Sequence, residues 1–295
     1  MFKKAYAIAA NYTWPIVMPR QTVEGKCYCS IGSMVILNQQ GWFLTAYHMI
    51  SAWKKLIEEK IKTDEHEASE KAIKDTMLKK SERKSRLAKL GKLQRDATRN
   101  YAGYWGREGL NLVECFYNKV VDLAVGRLEP FDSSWVTQYP IIKNPSIPFT
   151  PGVSLCKLGF PFHSIKPSYN ESRHTFEMPP FSSPLPLFPI DGILTRMMEL
   201  VLIPPDIELP LYPVRFIETS SPGLRGQSGG PIFDTNGVVW GIQIKTRPFP
   251  LGFEPIVPGK GVKEHQFLNV GIGVHAVTIV GLLKEQGIEC QLSTD

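Results

Sequence analysis

Three polar residues stand in contexts that could support acyl transfer. His48 closes the apolar run FLTAYHMI, Asp122 opens VVDLAVGRL, and Ser228 lies in GLRGQSGGPIFD. A serine hydroxyl is a weak nucleophile, so it needs a base beside it and a third group that fixes the tautomer of the base; a histidine with an aspartate meets both needs. Each residue alone has a plainer explanation: a packed or surface histidine, a turn aspartate, a serine in a tight turn. The glycines weigh the other way. Gly226, Gly229 and Gly230 let the chain bend so that N–H groups around Ser228 converge on one point, as stabilisation of an oxyanion requires.

GQSGG also fits the Gly-x-Ser-x-Gly elbow of α/β-hydrolases. An elbow continues directly into a helix, whereas here Pro231 follows and IFDTNGVVWGI reads as a hairpin turning at Asn236-Gly237. The chain order His, Asp, Ser also differs from the Ser, acid, His of that fold.

The elements that must position these residues read as mostly β. With 295 residues, 43% hydrophobic and 21% charged, the chain is an ordinary globular protein, which excludes a disordered, collagenous or coiled-coil chain. At roughly 150 residues per folding unit, two cores or one large all-β domain fit. Its 24 prolines and 24 glycines favour short strands and turns, above all in the second half. Before His48, Gly32 to Leu37 and Trp42 to Ala46 read as strands joined by a turn at Asn38 to Gly41. LNLVECF and KVVDLAVGRLE are two more, joined at Tyr117, Asn118 and Lys119. Residues 129–150, with four prolines, read as a linker. VSLCKLGFP, VRFIETS, GGPIFD, GVVWGIQIK and FLNVGIGVHA follow as a second β set, closed by a helix with Val277, Val280, Leu283 and Lys284 in helical spacing and Gly287 as its stop.

One segment breaks this pattern. Lys54 to Arg99 carries 15 basic and 9 acidic residues, the whole of the formal net charge of +6, with no proline and only Gly91. It reads as a helical insertion over about 51–100, with helices near 49–62 and 65–97 or one kinked helix, and with Asp64 and Glu67, or Thr63, as the second cap. Leu56, Ile57, Ile61, Ile73, Met77, Leu87, Leu90 and Leu93 form a stripe too thin for a core. Such an arm is either a solvated appendage or a docking surface, over 54–99, for a regulatory protein or phosphates. No aromatic interleaves its basic residues, so nucleic acid is not the favoured partner.

The five cysteines show no CxxC pair or regular spacing, which argues against a disulfide framework or a Cys-rich zinc site. The N-terminal apolar run stops after about six residues at Asn11, short of a signal sequence. No apolar stretch reaches the roughly 18 residues of a membrane span. These features point to a soluble, cytoplasmic protein in a reducing compartment, with no membrane partner. His66, His163, His174, His265 and His275 lack metal-ligand spacing and read as surface or packing residues. Cys27 and Cys29 would share one face of a strand, as packing rather than redox residues.

TAYH at His48, DLAV at Asp122 and GQSGGP at Ser228, in that order, resemble the chymotrypsin-like (trypsin-fold) serine peptidases. PGVSLCKLGFP, GVVWGIQ and VGIGVHAVTIVGLLKEQGI are similar to the protease domain of the HtrA/Deg branch, here without a PDZ domain. The likeness spans most of residues 25–290, apart from the arm and the Pro-rich stretch 161–213. It implies an all-β fold of two six-stranded β-barrels with an inserted helical hairpin and a C-terminal helix. Residues 1–128 would form the barrel bearing His48 and Asp122, and residues 151–295 the barrel bearing Ser228. It further implies a serine endopeptidase with Ser228 as nucleophile, His48 as general base and acid, and Asp122 orienting His48. The amides of Gly226 and Ser228 would form the oxyanion hole. Pro222, Gly223, Leu224 and Arg225, with Ile242, Gln243 and Ile244, would wall the pocket for the side chain before the scissile bond. The partners implied are protein or peptide substrates, with no metal or organic cofactor.

Two departures matter. Met49 stands where secreted members often carry cysteine, and neutral Gln227 stands where many carry the acid that receives a freed N-terminus, so activation by N-terminal trimming is not expected. With no evident acid, the pocket is expected to take an apolar or small side chain unless Asp191 or Asp206 reaches it. The competing readings are a catalytically silent pseudo-protease acting as a binding module, and a latent effector switched on by a partner or nucleic acid.

Overall fold

The computed structural model describes residues 1–179, 185–199, 210–254 and 265–294. The apolar N-terminal run forms a helix, α1 (Lys3–Tyr12), that buries Ala5, Ala9 and Tyr12 and leads straight into β1 (Thr13–Thr22). β1 forms a hairpin with β2 (Cys27–Ile36), from Thr13 opposite Val35 to Gln21 opposite Cys27. The first strand lay outside the sequence expectation, because Pro15 and Pro19 argue against a strand paired on both sides. Here the second neighbour uses their carbonyls: Gly106 N–H donates to Pro15 O and Ala102 N–H to Pro19 O. β3 (Trp42–Ala46) then feeds α2 (Tyr47–Asp75) and α3 (Lys80–Leu90). The chain returns through β4 (Thr98–Tyr101), β5 (Tyr104–Trp105), β6 (Asn111–Asn118) and β7 (Leu123–Glu129). The sheet runs β4-β1-β2-β3-β7-β6, with β5 also pairing β1.

The helical insertion differs in detail from the sequence reading. α2 passes unbroken through Thr63 and Asp64, because Asp64 pairs with Lys60 one turn back (2.7 Å) instead of capping a new helix. The break comes at 76–79, where the Thr76 hydroxyl bonds to Ala72 O (2.6 Å) and Thr76 turns extended. α3 ends at Gly91, whose φ is +79°. At 1.5 Å per residue α2 is about 43 Å long. Its first half is anchored to the sheet: Trp53 packs edge-on against Tyr101 and Trp105, Thr98 donates to Glu59 (2.5 Å), and Arg99 pairs with Glu67 (2.7 Å). α3 has no buried residue.

After a short 3-10 turn at Ser133–Trp135, the connecting segment places β8 (Ile141–Ile142) on the edge of a second sheet. That sheet holds β9 (Ser154–Lys157), then, past the small ribbon of β10 (Ser168–Asn170) and β11 (Thr175–Glu177), β12 (Ile190–Glu199), β13 (Arg215–Thr219), β14 (Pro231–Phe233), β15 (Val239–Pro250) and β16 (Phe267–His275). The order β14-β9-β12-β13-β16-β15, with β15 pairing back to β14, closes a six-stranded barrel around Ile217, Ile232, Ile242 and Val274. α4 (Ala276–Glu285) and β17 (Gln291–Leu292), which pairs β8, complete the chain. α1 packs on this second barrel: Phe2 meets Phe233 edge-on, Ile8 lies against Gly237, and Tyr12 OH donates to Gly237 O (3.4 Å). The mostly β, two-barrel architecture implied by the resemblance is the one the chain adopts, with the first sheet left open between β4 and β6.

His275 ties α4 to the barrel. It is 2% exposed, packs on Phe149 at 3.9 Å between ring centroids, and caps α4 by accepting Val277 N–H at Nδ1 (2.9 Å). Only a neutral ring can accept there, and burial, with Arg215 nearby, pushes its pKa down to about 4. The folded state therefore binds fewer protons than the unfolded chain between about pH 4 and 6.5, so this contribution is complete above pH 6.5 and is lost as pH falls towards 4. Urea unfolding at pH 7 and pH 4 is expected to show wild type losing on the order of 3 kcal/mol more than His275→Asn, which keeps a capping side chain but does not titrate.

Candidate active site

The site begins where β3 ends. Ala46 is extended and offers no side chain to cap α2, so the first N–H groups of that helix need acceptors from elsewhere. Asp122 supplies them. Tyr47 N–H donates to Asp122 O (3.0 Å) and His48 N–H to Asp122 Oδ1 (2.8 Å). The other carboxylate oxygen, Oδ2, lies 2.8 Å from His48 Nδ1. A carboxylate only accepts, so Nδ1 carries a hydrogen, which in the neutral ring leaves the lone pair on Nε2. Asp122 sits at φ +55°, a conformation aspartate tolerates, at the end of a turn held by Asn118 Oδ1, which accepts from Val120 N–H (2.9 Å). The histidine ring remains open to solvent, with 45% of its side chain exposed.

Ser228 arrives from the second barrel on a loop fastened to the first. Ser33 N–H donates to Ser228 O (2.8 Å) and the Ser33 hydroxyl to Gly226 O (2.7 Å), while Gly229 N–H donates to Gln243 O (2.8 Å). Gly229 has φ +86°, and a Cβ there would lie 2.1 Å from Ser33 O, 2.3 Å from Thr45 Oγ1 and 3.1 Å from Ala46 N. The serine loop thus abuts the last residue before α2, two positions from His48. Gln227 is fully buried: its Oε1 accepts Leu224 N–H (3.0 Å) and its Nε2 donates to Phe188 O (3.2 Å). It therefore occupies its position as a structural clamp. The amides of Gln227, Gly229 and Gly230 are spent within the fold. Among the described residues those of Gly226 and Ser228 have no backbone acceptor, and none of the hydrogen bonds joins Ser228 Oγ to His48.

The expected pocket residues divide. Pro222 O accepts from Lys157 Nζ (2.8 Å) and Gly223 O from Thr246 Oγ1 (2.5 Å), which pins the segment 222–223 to the barrel. Leu224 is partly buried and Arg225 exposed. Ile242 and Ile244 belong to the barrel core, and Gln243 is buried behind Gly223. Asp191 is exposed on β12, opposite Cys156 in register, and Asp206 lies outside the described residues. Ser33, Thr45 and Lys157 were not foreseen; a buried polar residue inside an apolar strand is the only trace they leave in the sequence. Among the described residues no cluster of His, Cys, Asp and Glu could hold a metal ion, and no helix is long and apolar enough to cross a membrane.

No protein-family model and no curated protein matches the chain. Among solved structures it is similar to the HtrA-type protease AlgW with tripeptide, at 16% identity and a TM-score of 0.48, over 98% of this chain and 65% of that one. It is also similar to the Rv3671c protease from M. tuberculosis in its active form, at 14% identity and a TM-score of 0.46, over 99% and 88% of the two chains. The inactive form of Rv3671c aligns at 14% identity and 0.44, over 96% and 92%. The chain thus spans just under two thirds of the AlgW chain's length, 65%.

The tightness at Gly229 generates a prediction. Gly229→Ala is expected to push the loop off Ser33 and Thr45 and to slow the reaction of Ser228 with an organophosphorus reagent roughly 100-fold or more, as displacements near 1 Å do, without loss of the far-UV circular dichroism spectrum.

Proposed function

We propose that the chain is a serine endopeptidase that cleaves protein or peptide substrates through an acyl-enzyme. The observation that carries this reading is Asp122 gripping both the Nδ1 and the backbone N–H of His48, with the Ser228 loop seated at the end of the same strand. In this reading Ser228 Oγ attacks the carbonyl carbon of the scissile bond while its proton passes to His48 Nε2. The imidazolium that results keeps its Nδ1–H on Asp122. The tetrahedral oxyanion is received by the amides of Gly226 and Ser228. Collapse breaks the C–N bond, His48 returns the proton to the leaving amine, and a water deprotonated by His48 then hydrolyses the ester and regenerates Ser228. The missing bond between Ser228 Oγ and His48 is compatible with this, since such contacts often tighten only with substrate bound.

A second reading, that the site is latent and answers to the arm, is favoured by one observation: His48 is the second residue of α2, so base and arm share one helix. The five cysteines are all free, which fits action in a reducing compartment.

A fluorophosphonate probe is expected to label wild type, with labelling lost in Ser228→Ala and reduced at least 100-fold in His48→Ala; labelling that survives Ser228→Ala would exclude the assignment. Replacing residues 77–92 by a short Gly/Ser linker, which removes no buried side chain of α3, is expected to change the labelling rate severalfold if the arm controls the base. An unchanged rate would leave the arm as a surface for selecting partners.

A further inference from the structure

Resting on the proposed endopeptidase function, we infer that the pocket for the side chain before the scissile bond selects a carboxylate, because Lys157 places an ammonium, with no carboxylate beside it among the described residues, directly beneath its floor. Lys157 closes β9 with its side chain inside the second barrel and is 1% exposed. Its three N–H groups go to Thr219 Oγ1 (3.1 Å), Ser221 O (2.5 Å) and Pro222 O (2.8 Å). Pro222 begins the segment that the proposed active site uses as pocket wall, and Ser221 directly precedes it.

No carboxylate answers this cation among the described residues. Glu218, next to Thr219 on β13, is engaged by Arg196 (2.7 Å) and Thr195 (2.8 Å), and Asp191 on β12 is exposed beside Cys156. A buried charge balanced only by neutral oxygens is costly and projects its field through a medium of low dielectric constant. Burial pushes the pKa of Lys157 down to about 7, so the cation is present in slightly acidic solution. An anion arriving in the pocket would supply the missing countercharge, and a Lys or Arg side chain would meet repulsion.

The floor itself is built to donate. With its carbonyl turned towards Lys157, the trans Pro222–Gly223 peptide aims the Gly223 N–H the opposite way, out of the barrel, and among the described residues this amide has no backbone acceptor. The Ser221 hydroxyl is buried without a partner among the described residues and can also donate. Gly192 and Gly271 keep the space around this cluster: a Cβ at Gly271 would lie 2.6 Å from Lys157 Nζ, and one at Gly192 2.6 Å from Ser221 Oγ. Apolar or small selection, the expectation from sequence, presumed a floor without charge.

The test uses peptidyl diphenyl phosphonates that differ only in the side chain next to phosphorus (Glu, Gln, Leu or Lys), with the inactivation rate and the mass of the Ser228 adduct read at pH 6.5. Glu is expected to react at least tenfold faster than Leu and Lys, with Gln between. In Lys157→Met the Glu rate is expected to fall at least tenfold more than the Leu rate, so that the preference for Glu over Leu is lost. Met leaves Ser221 O and Pro222 O without the ammonium that served them, so the fold of the variant is checked by far-UV circular dichroism. Should that variant fail to fold, the wild-type order still decides, and Ser221→Ala, which opens no large cavity, is expected to lower the Glu rate severalfold relative to Leu. A wild type that takes the generic fluorophosphonate but prefers Leu or Lys, or a folded Lys157→Met with the same order, would overturn the inference and leave the endopeptidase assignment intact. Failure of Ser228 to react with any reagent, the generic probe included, would overturn both.

Discussion

The carboxylate of Asp122 is the point on which the first half of the molecule turns. It meets the N-terminus of α2, where unsatisfied N–H groups and the helix dipole favour an anion, and at the same point it fixes the imidazole of His48. A helix without a capping residue of its own is thereby nailed to the strand that starts at Leu123. Strand pairing, the start of the arm and the orientation of the histidine are one arrangement, so none of them can shift alone.

The second half reaches this arrangement almost entirely by backbone contact. Ser33, Gly226, Ser228 and Gly229 meet through main-chain groups and one hydroxyl, and the glycine leaves no room for a side chain. Such a joint is short and stiff. It suits the proposed site, whose partners come from two separate barrels and must still be held within a fraction of an ångström. Around it the polar residues of the second barrel, Gln227, Gln243 and Lys157, are all buried, so the loop is shaped from beneath by hydrogen bonds as well as by packing.

What could be read from the sequence was the two-barrel fold, the punctuation and a set of candidate residues. His48, Asp122 and Ser228 fall at strand ends beside residues that bend the chain, and β3, β6, β7 and the strands after Ser228 could be found as apolar, β-prone runs bounded by turn residues. β1 escaped for a physical reason: its two prolines argue against a paired strand, and they are harmless only because a neighbouring strand borrows their carbonyls. The break in the arm was misplaced because Asp64 has two uses in a helix, cap or ion-pair partner, and only the presence of Lys60 one turn earlier decides between them. Lys157 could not be singled out for the proposed pocket, since nothing local distinguishes a lysine at the end of a strand from one whose ammonium is swallowed by a barrel.

α1 carries a consequence for the order in which the chain is made. Its apolar face belongs to the hairpin around Phe233 and Gly237, more than two hundred residues downstream, although the helix itself leads into the first barrel. At ordinary rates of synthesis that hairpin emerges from the ribosome on the order of tens of seconds after α1 does. Throughout that interval α1 lacks the hairpin that covers Phe2 and Ile8. The arrival of the second barrel supplies that partner, so α1 is completed only after the strands it leads into.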